Sequence, residues 1–470
     1  MSNAYQDPSL AYWRDFPQTY RQEQIATVAT WAQSGESGVL VGGAGMGKSN
    51  LLGFLTTRPD ALQRHMPAHA VDTHIIRFDS NSLPAFTVAY FYRGLLFALR
   101  DGAGQFGAES HDAVAAIIQA QTNWDDAFLV HAALVQAHAA ILQRTEGRLL
   151  WLLDRFDEAC AQLDVQALNT LRNLRDRFKG RLCYVMATRQ PLVRLRDPAE
   201  FDELYELFAG RTGWVGCMVE RDVRWVADQM AERLHVDFSE AQVGLLHAVT
   251  GGLPAFLKEG SIALAQGELD ANASVAKLTQ RLLARPEFQR ICREIWRELT
   301  LDEQQVMIGA ARSNLVERAV ADAYLIPSGL LVEEAGCWRI FSPLMAGFVV
   351  QQSTPTAVIE PPKAKVEIRP SGLSLHPKTR VVMRDGVALE IELTPQEELL
   401  LDYFLQNEEA VCTKDELMQA VWAEDAFVEG IRDDRLAQLI KRLRSKIEPK
   451  QNSPTHILTV RGRGYRFVNS

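Results

Sequence analysis

The sequence has no cysteine arrangement that could hold a metal or a disulfide framework. Its six cysteines (Cys160, Cys183, Cys217, Cys292, Cys337 and Cys412) lie far apart, with no CxxC and no histidine at ligand spacing. Such isolated thiols read as reduced and mostly buried, and a zinc site is not expected. No apolar run reaches the roughly 18 residues that a membrane span requires, and the opening MSNAYQDPSL has neither the basic start nor the apolar centre of a signal peptide. The protein is therefore expected in the cytoplasm. A solenoid-type repeat is missing too. Hydrophobic residues make up 47% and charged residues 23%, which excludes a disordered chain, and 470 residues exceed what one core can organise. Roughly three or four units are expected.

A net charge of −9 argues against a protein that coats nucleic acid over its whole surface. That charge is unevenly spread. From Gly430 to Ser470 ten basic residues face only Asp433, Asp434 and Glu448, so the segment carries +7 and the rest of the chain −16. Such asymmetry points to a nucleic-acid module at the end of the chain, or more plainly to a solvated basic surface.

Along the chain, residues 1–36 read as mostly helical. VLVGGAGMGKSNLLGFL then reads strand, loop, helix, and HAVDTHIIRFDS, RLLWLLD and RLCYVMATR supply further strands between helical stretches. Strands alternating with helices predict a parallel sheet covered on both faces. Residues 1–215 are thus expected as one α/β domain with an N-terminal helical segment, 216–298 as a helical domain, and 299–352 as helices closed by a small hairpin. The stretch 353–367, rich in proline and small polar residues, reads as a linker, and 368–470 as a last domain that begins with short strands.

Gly42-Gly43-Ala44-Gly45-Met46-Gly47-Lys48-Ser49, followed by Asn50, satisfies G-x-x-x-x-G-K-[ST] between an apolar strand and a helix. Backbone N–H groups of such a loop close around phosphate, the lysine reaches the terminal phosphates, and the serine hydroxyl binds magnesium. ATP or ADP with Mg2+ is the expected cofactor. A second magnesium ligand is expected at the end of another strand, where LLWLLD delivers Asp154. Asp157 and Glu158 follow as alternative carboxylates to activate water, or simply as acids favoured at a helix start. Arg155, where many such ATPases carry glutamate, makes hydrolysis a weaker expectation than binding.

Thr188-Arg189 at a strand end and Gly252-Leu253-Pro254 in the helical region complete a pattern. With the loop and LLWLLDRFDE, they resemble the STAND class of P-loop ATPases, relatives of AAA+ proteins. The resemblance covers residues 15–352 and implies a helical lid followed by a winged helix. It also implies that Arg189 senses the terminal phosphate, that Pro254 packs near adenine, and that the protein self-associates in its ATP state. Phe341-Ser342-Pro343 stands where plant and animal members carry Met-His-Asp, whose histidine contacts ADP.

In the last domain, Thr394 with Glu397 and Thr413 with Glu416 form capping boxes, and Pro395 occupies a first helical position. Leu436, Leu439, Ile440, Leu443 and Ile447 form an apolar stripe on a third helix, whose other side carries Gln438, Lys441 and Ser445 flanked by Arg435 and Arg442. That face suits a major groove. HILTVRGRGYRFV reads as two strands around a glycine turn that projects Arg461 and Arg463. Together these features resemble the OmpR/PhoB family of winged-helix DNA-binding domains over residues 368–470. The resemblance implies double-stranded DNA as partner, with Thr413 among the contacting residues.

The combined expectation is a multidomain α/β transcriptional regulator in which nucleotide state controls self-assembly and DNA binding. A DNA-parked motor or assembly factor, and a nucleotide-locked scaffold without turnover, are the alternatives. The inducing signal has two candidate entry points, the helical segment 260–298 or an external partner.

Overall fold

The computed structural model describes residues 11–470 except 202, 209, 268–273, 314–317, 335–336, 354–371, 376–380, 385–386, 390, 392, 409, 422–431, 449–453, 461–463 and 470. At 11, 313, 319, 353, 395, 415 and 432–435 it describes the backbone only. The described residues from Trp13 onward divide into two compact units, one within Trp13–Pro355 and one within Thr356–Ser470.

The larger unit is built on a parallel sheet. Its strands are β1 (Gly38–Val41), β2 (Thr73–Asp79), β3 (Arg148–Asp154), β4 (Leu182–Thr188) and β5 (Thr212–Trp214), in the order β2-β3-β4-β1-β5. All four residues of β1 and all seven of β4 are buried, as a sheet covered by helices requires. The three-residue β5 pairs in parallel with β1 and carries no apolar run, so the sequence pattern gave no sign of it. The N-terminal segment is fixed by aromatic packing. Phe16 lies between Tyr20, Phe54 and Trp225, with ring centroids at 4.8, 5.8 and 4.3 Å.

After the sheet come the helices Glu220–Leu234, Glu240–Thr250, Pro254–Ala265, Val275–Leu283 and Pro286–Arg297. Ser239 and Gln242 form a capping box at the second of these, and Pro254 opens the third. The helices Leu301–Ser313 and Arg318–Ala323 follow, then the antiparallel pair β6 (Leu331–Glu334) and β7 (Cys337–Ile340), and the helix Pro343–Ser353.

The smaller unit is a winged helix with two small antiparallel sheets. β8 (Leu373–Leu375), β9 (Val382–Arg384) and β10 (Val387–Ala388) form the first. β11 (Val411–Cys412), β12 (Ile457–Val460) and β13 (Gly464–Phe467) form the second, in the order β11-β13-β12. The helix Pro395–Gln406 runs between β10 and β11, and the helices Lys414–Val421 and Arg432–Ile447 run between β11 and β12. The stripe Leu436, Leu439, Ile440, Leu443 and Ile447 is fully buried against Leu400, Phe404, Leu417 and Phe467. Among the described residues no helix is long and apolar enough to cross a membrane.

Candidate functional site

The phosphate-type loop leaves β1 at the carboxyl edge of the sheet, where the strand order puts β4 on one side of β1 and β5 on the other. Ligands of open α/β sheets bind outside such strand ends. Gly42 N–H donates to the Thr188 carbonyl at 3.1 Å, tying the loop to the end of β4. Gly45 and Gly47 take positive φ, and Gly47 opens the helix Lys48–Thr57 at φ 81°, a conformation that disfavours any side chain. Pro254 Cγ lies 3.4 Å from where a Gly47 Cβ would stand, and Ala255 N–H donates to the Gly45 carbonyl at 3.3 Å. The Gly252-Leu253-Pro254 turn therefore packs directly on the loop.

Lys48 is buried, and its Nζ donates to the carbonyls of Gly42 and, at 3.2 Å, Gly43. Ser49 Oγ donates to Asp154 Oδ1 at 3.1 Å across the end of β3. The two oxygens that the sequence assigns to magnesium are thus adjacent, a donor set that suits a hard cation. Two cations share this corner. Arg77 pairs with Asp154 Oδ2, and Arg155 Nε lies 3.3 Å from Ser49 Oγ. Arg155 holds a left-handed φ of 51°, turning the chain sharply after Asp154. Asn50 accepts from Trp13 Nε1 at 3.3 Å, and Arg77 lies over the Trp13 ring at 5.2 Å. Met46 presents its carbonyl to Arg21 at 2.8 Å, and Arg21 also donates to the Gly216 carbonyl at 2.6 Å. Arg21 thus crosslinks the loop to the segment after β5.

Asp157 and Glu158 share the first turn of the helix Asp157–Gln162, and both are half-buried. Asp157 Oδ1 accepts from the Arg189 backbone N–H at 2.7 Å. Burial raises the Asp157 pKa, and Lys48 and Arg189 oppose that rise. The Arg189 guanidinium reaches Glu298 Oε1 at 3.3 Å, and Tyr324 donates its hydroxyl proton to the Arg189 carbonyl at 3.3 Å.

Glu298 was not foreseen in the sequence. Lying just after the helix Pro286–Arg297, it places Oε2 3.0 Å from the Ala44 N–H inside the loop. Burial pushes its pKa up to about 7, against the pull of Arg189 and Lys48. Phe341-Ser342-Pro343 does not reach the loop through any described bond. Ser342 Oγ instead accepts the Met345 N–H at 3.1 Å, capping the helix Pro343–Ser353, and the Phe341 carbonyl abuts Gly251.

In the smaller unit, the Thr394–Glu397 box and the Thr413–Glu416 box are both formed. Thr413 is exposed, with its hydroxyl donating to Glu416 at 2.8 Å. Gln438, Lys441 and Ser445 are exposed on the face opposite the buried stripe, Arg442 is half-buried, and Arg435 lies on the same helix. Other basic residues of this segment are committed within the fold. Arg444 donates to the Ile457 carbonyl at 2.7 Å and to Thr459 Oγ1 at 2.9 Å, and Lys446 pairs with Glu397 at 2.7 Å. Glu448 accepts the backbone N–H groups of Thr455, His456 and Ile457. β12 and β13 pair from Ile457↔Phe467 to Val460↔Gly464. At Gly464 the strand passes so near β11 that a Cβ would stand 2.1 Å from the Cys412 carbonyl, so only glycine fits. Arg461 and Arg463 lie outside the described residues.

Residues 388–467 match the family model described as "Transcriptional regulatory protein, C terminal". The alkaline phosphatase synthesis transcriptional regulatory protein SphR of Synechococcus elongatus is 33% identical over 110 residues, 23% of this chain and 40% of that protein. The phosphate regulon transcriptional regulatory protein PhoB of Escherichia coli is 36% identical over 110 residues, 23% of this chain and 45% of that protein. The chain thus spans less than half the length of these curated relatives. Among solved structures, the Walker-type ATPase PABY2304 of Pyrococcus abyssi aligns with a TM-score of 0.41 and 13% identity, over 72% of this chain and 99% of that one. The ADP form of Aeropyrum pernix ORC2 aligns with a TM-score of 0.40 and 12% identity, over 75% of this chain and 98% of that one. Residues 388–467 form an OmpR/PhoB-type transcriptional-regulator C-terminal domain, joined in one chain to a parallel-sheet unit with a phosphate-type loop.

Proposed function

We propose that this protein is a sequence-specific DNA-binding transcriptional regulator whose DNA binding and self-assembly are set by bound ATP or ADP. The observation that carries it is the Lys48–Ser49–Asp154 corner at the end of β1 and β3, in a chain that also holds an OmpR/PhoB-type domain. Loop N–H groups and Lys48 hold the phosphates, and the Pro254 turn bounds the pocket on the base side. Ser49 and Asp154 hold Mg2+, which when bound neutralises phosphate charge. Arg189 is positioned by the Asp157 carboxylate on its backbone N–H and presents its guanidinium to the terminal phosphate. Asp157 accepts the Arg189 N–H, and Glu158, in the same helix turn, orients or deprotonates water. In the smaller unit Gln438, Lys441, Arg442 and Ser445, with Arg435, enter the major groove, while Arg461 and Arg463 contact the backbone or minor groove.

Selection of bound DNA from a random pool, run with ATP, ADP and no nucleotide, tests the reading. One enriched motif whose recovery differs between ATP and ADP is the expected result. An identical yield in all three sinks nucleotide control. Lys48→Ala should lose nucleotide binding and the difference between the arms together.

A second reading, a nucleotide-locked switch without turnover, is favoured by Arg77 on Asp154 and Arg155 on Ser49, two cations in the corner where catalysis would need magnesium. Steady-state hydrolysis with and without the selected DNA separates the two, since a scaffold turns nothing over.

A further inference from the structure

Two donors aimed at anions, the Ala44 N–H within the loop and the Arg189 guanidinium beside it, converge on one carboxylate of the protein itself. Glu298 Oε2 stands 3.0 Å from the first and Oε1 3.3 Å from the second. Oε2 also lies 3.1 Å, and Tyr324 Oη 3.4 Å, from where a Gly43 Cβ would stand, so the carboxylate and the phenol close tightly over residue 43. Glu298 is held in turn by Gln190 Nε2, which donates to its carbonyl at 2.9 Å. Its position in the chain makes this more than a local contact. Two residues on, Thr300 caps the helix Leu301–Ser313, and Glu303 of that helix pairs with Arg194, whose guanidinium lies 4.5 Å from the Tyr324 ring centroid.

We propose that Glu298 is an internal ligand of the phosphate loop, a carboxylate that occupies the seat of a nucleotide phosphate and must leave when nucleotide enters. A carboxylate and a phosphate cannot share the Ala44 N–H and Arg189, because each needs the same donors and like charges at that range repel. Nucleotide entry therefore drives Glu298 out and pulls on the start of the helix Leu301–Ser313. That links the content of the loop to the position of the elements after the helical region. This rests on the loop being a nucleotide site.

The test is calorimetric titration of the full chain with ADP and with ATP, comparing the parent, Glu298→Gln, Glu298→Ala and Lys48→Ala. Removing the competing charge should tighten ADP binding roughly tenfold, the worth of one charge-assisted hydrogen bond. The nearly isosteric glutamine variant keeps the packing, and its thermal unfolding verifies that it folds. Parent-like or weaker ADP binding in both Glu298 variants, with the parent binding normally, overturns the internal-ligand role and leaves the nucleotide site standing. No binding in any protein overturns both. A second arm needs no variant. On adding ADP to the parent, amide hydrogen exchange should slow at residues 43–49 and quicken at 298–304. Slowing at both segments means that Glu298 stays in place and overturns the role.

Discussion

At the scale of single residues, under the proposed function the two acids after Asp154 have different tasks although they are neighbours. Asp157 is tied to the Arg189 backbone, so Asp157→Asn should disturb the placement of Arg189 and weaken ATP binding relative to ADP. Glu158→Gln should leave both affinities near the parent values and slow hydrolysis. Titrations and steady-state turnover of the two variants check this, and equal loss of turnover with unchanged affinities in both would contradict the division. Glu298 adds a pH dependence. Burial raises its pKa to about 7 in the folded protein, above the ordinary carboxylate range of the unfolded chain. Between those values the folded state binds more protons than the unfolded one. Its contribution is fully present below the ordinary carboxylate range and is lost as pH climbs through about 7. Glu298→Gln stays neutral throughout. Nucleotide-free parent and variant should therefore unfold alike near pH ~4, and the variant should be more stable by roughly 3 kcal/mol near pH ~8. A gap that stays constant across that range would show that the carboxylate does not titrate there.

At the scale of elements, what the sequence made legible was local. The loop, the strand ending in Asp154 and both capping boxes are contiguous patterns whose physics closes within a turn or two, and each stands where its spacing put it. Glu298 and Ala44 are 254 positions apart, and nothing near ELTLDE distinguishes a loop-seeking carboxylate from an ordinary helix-end acid. Arg77 and Arg21 escaped notice for the same reason. In the smaller unit the count of ten basic residues was legible, but their division between fold and surface was not. Arg444 braces the Arg432–Ile447 helix against β12, whereas Lys441, three residues earlier, is exposed. Arg444→Ala leaves the Ile457 carbonyl short of a donor and should destabilise the domain by roughly 1–3 kcal/mol. Lys441→Ala should change stability by less than about 0.5 kcal/mol while weakening DNA binding. Urea denaturation and DNA titration of both variants should give these opposite patterns. A matching stability loss in the two would mean that the helix face is not divided in this way.

For the whole molecule, under the proposed function a chain with a net charge of −9 holds DNA through the +7 carried by residues 430–470, so binding should depend steeply on salt and on few side chains. In the sequence, Arg461 and Arg463 fall between Val460 and Gly464, the paired ends of two strands, and supply two of the ten basic residues. Replacing both by alanine should weaken binding to all sequences alike and lower the salt slope by up to ~2 counterions, about one per lost contact. Gln438 is exposed on the opposite side from the buried stripe and carries an amide suited to a base edge. Gln438→Ala should cost on the order of 1–3 kcal/mol at the selected site and hardly alter non-specific binding. If the hairpin instead serves as a latch that restrains the protein in its ADP state, the double arginine variant would bind DNA more readily than the parent when ADP is present. Titrations against specific and scrambled duplexes, at several salt concentrations and with each nucleotide, read all three quantities. An unchanged salt slope in the arginine variant would rule out the phosphate contacts, and a Gln438→Ala loss equal on both duplexes would rule out base reading. A difference between ATP and ADP that survives in both variants would place nucleotide control outside the DNA-contacting residues, in the larger unit that holds the loop and Glu298.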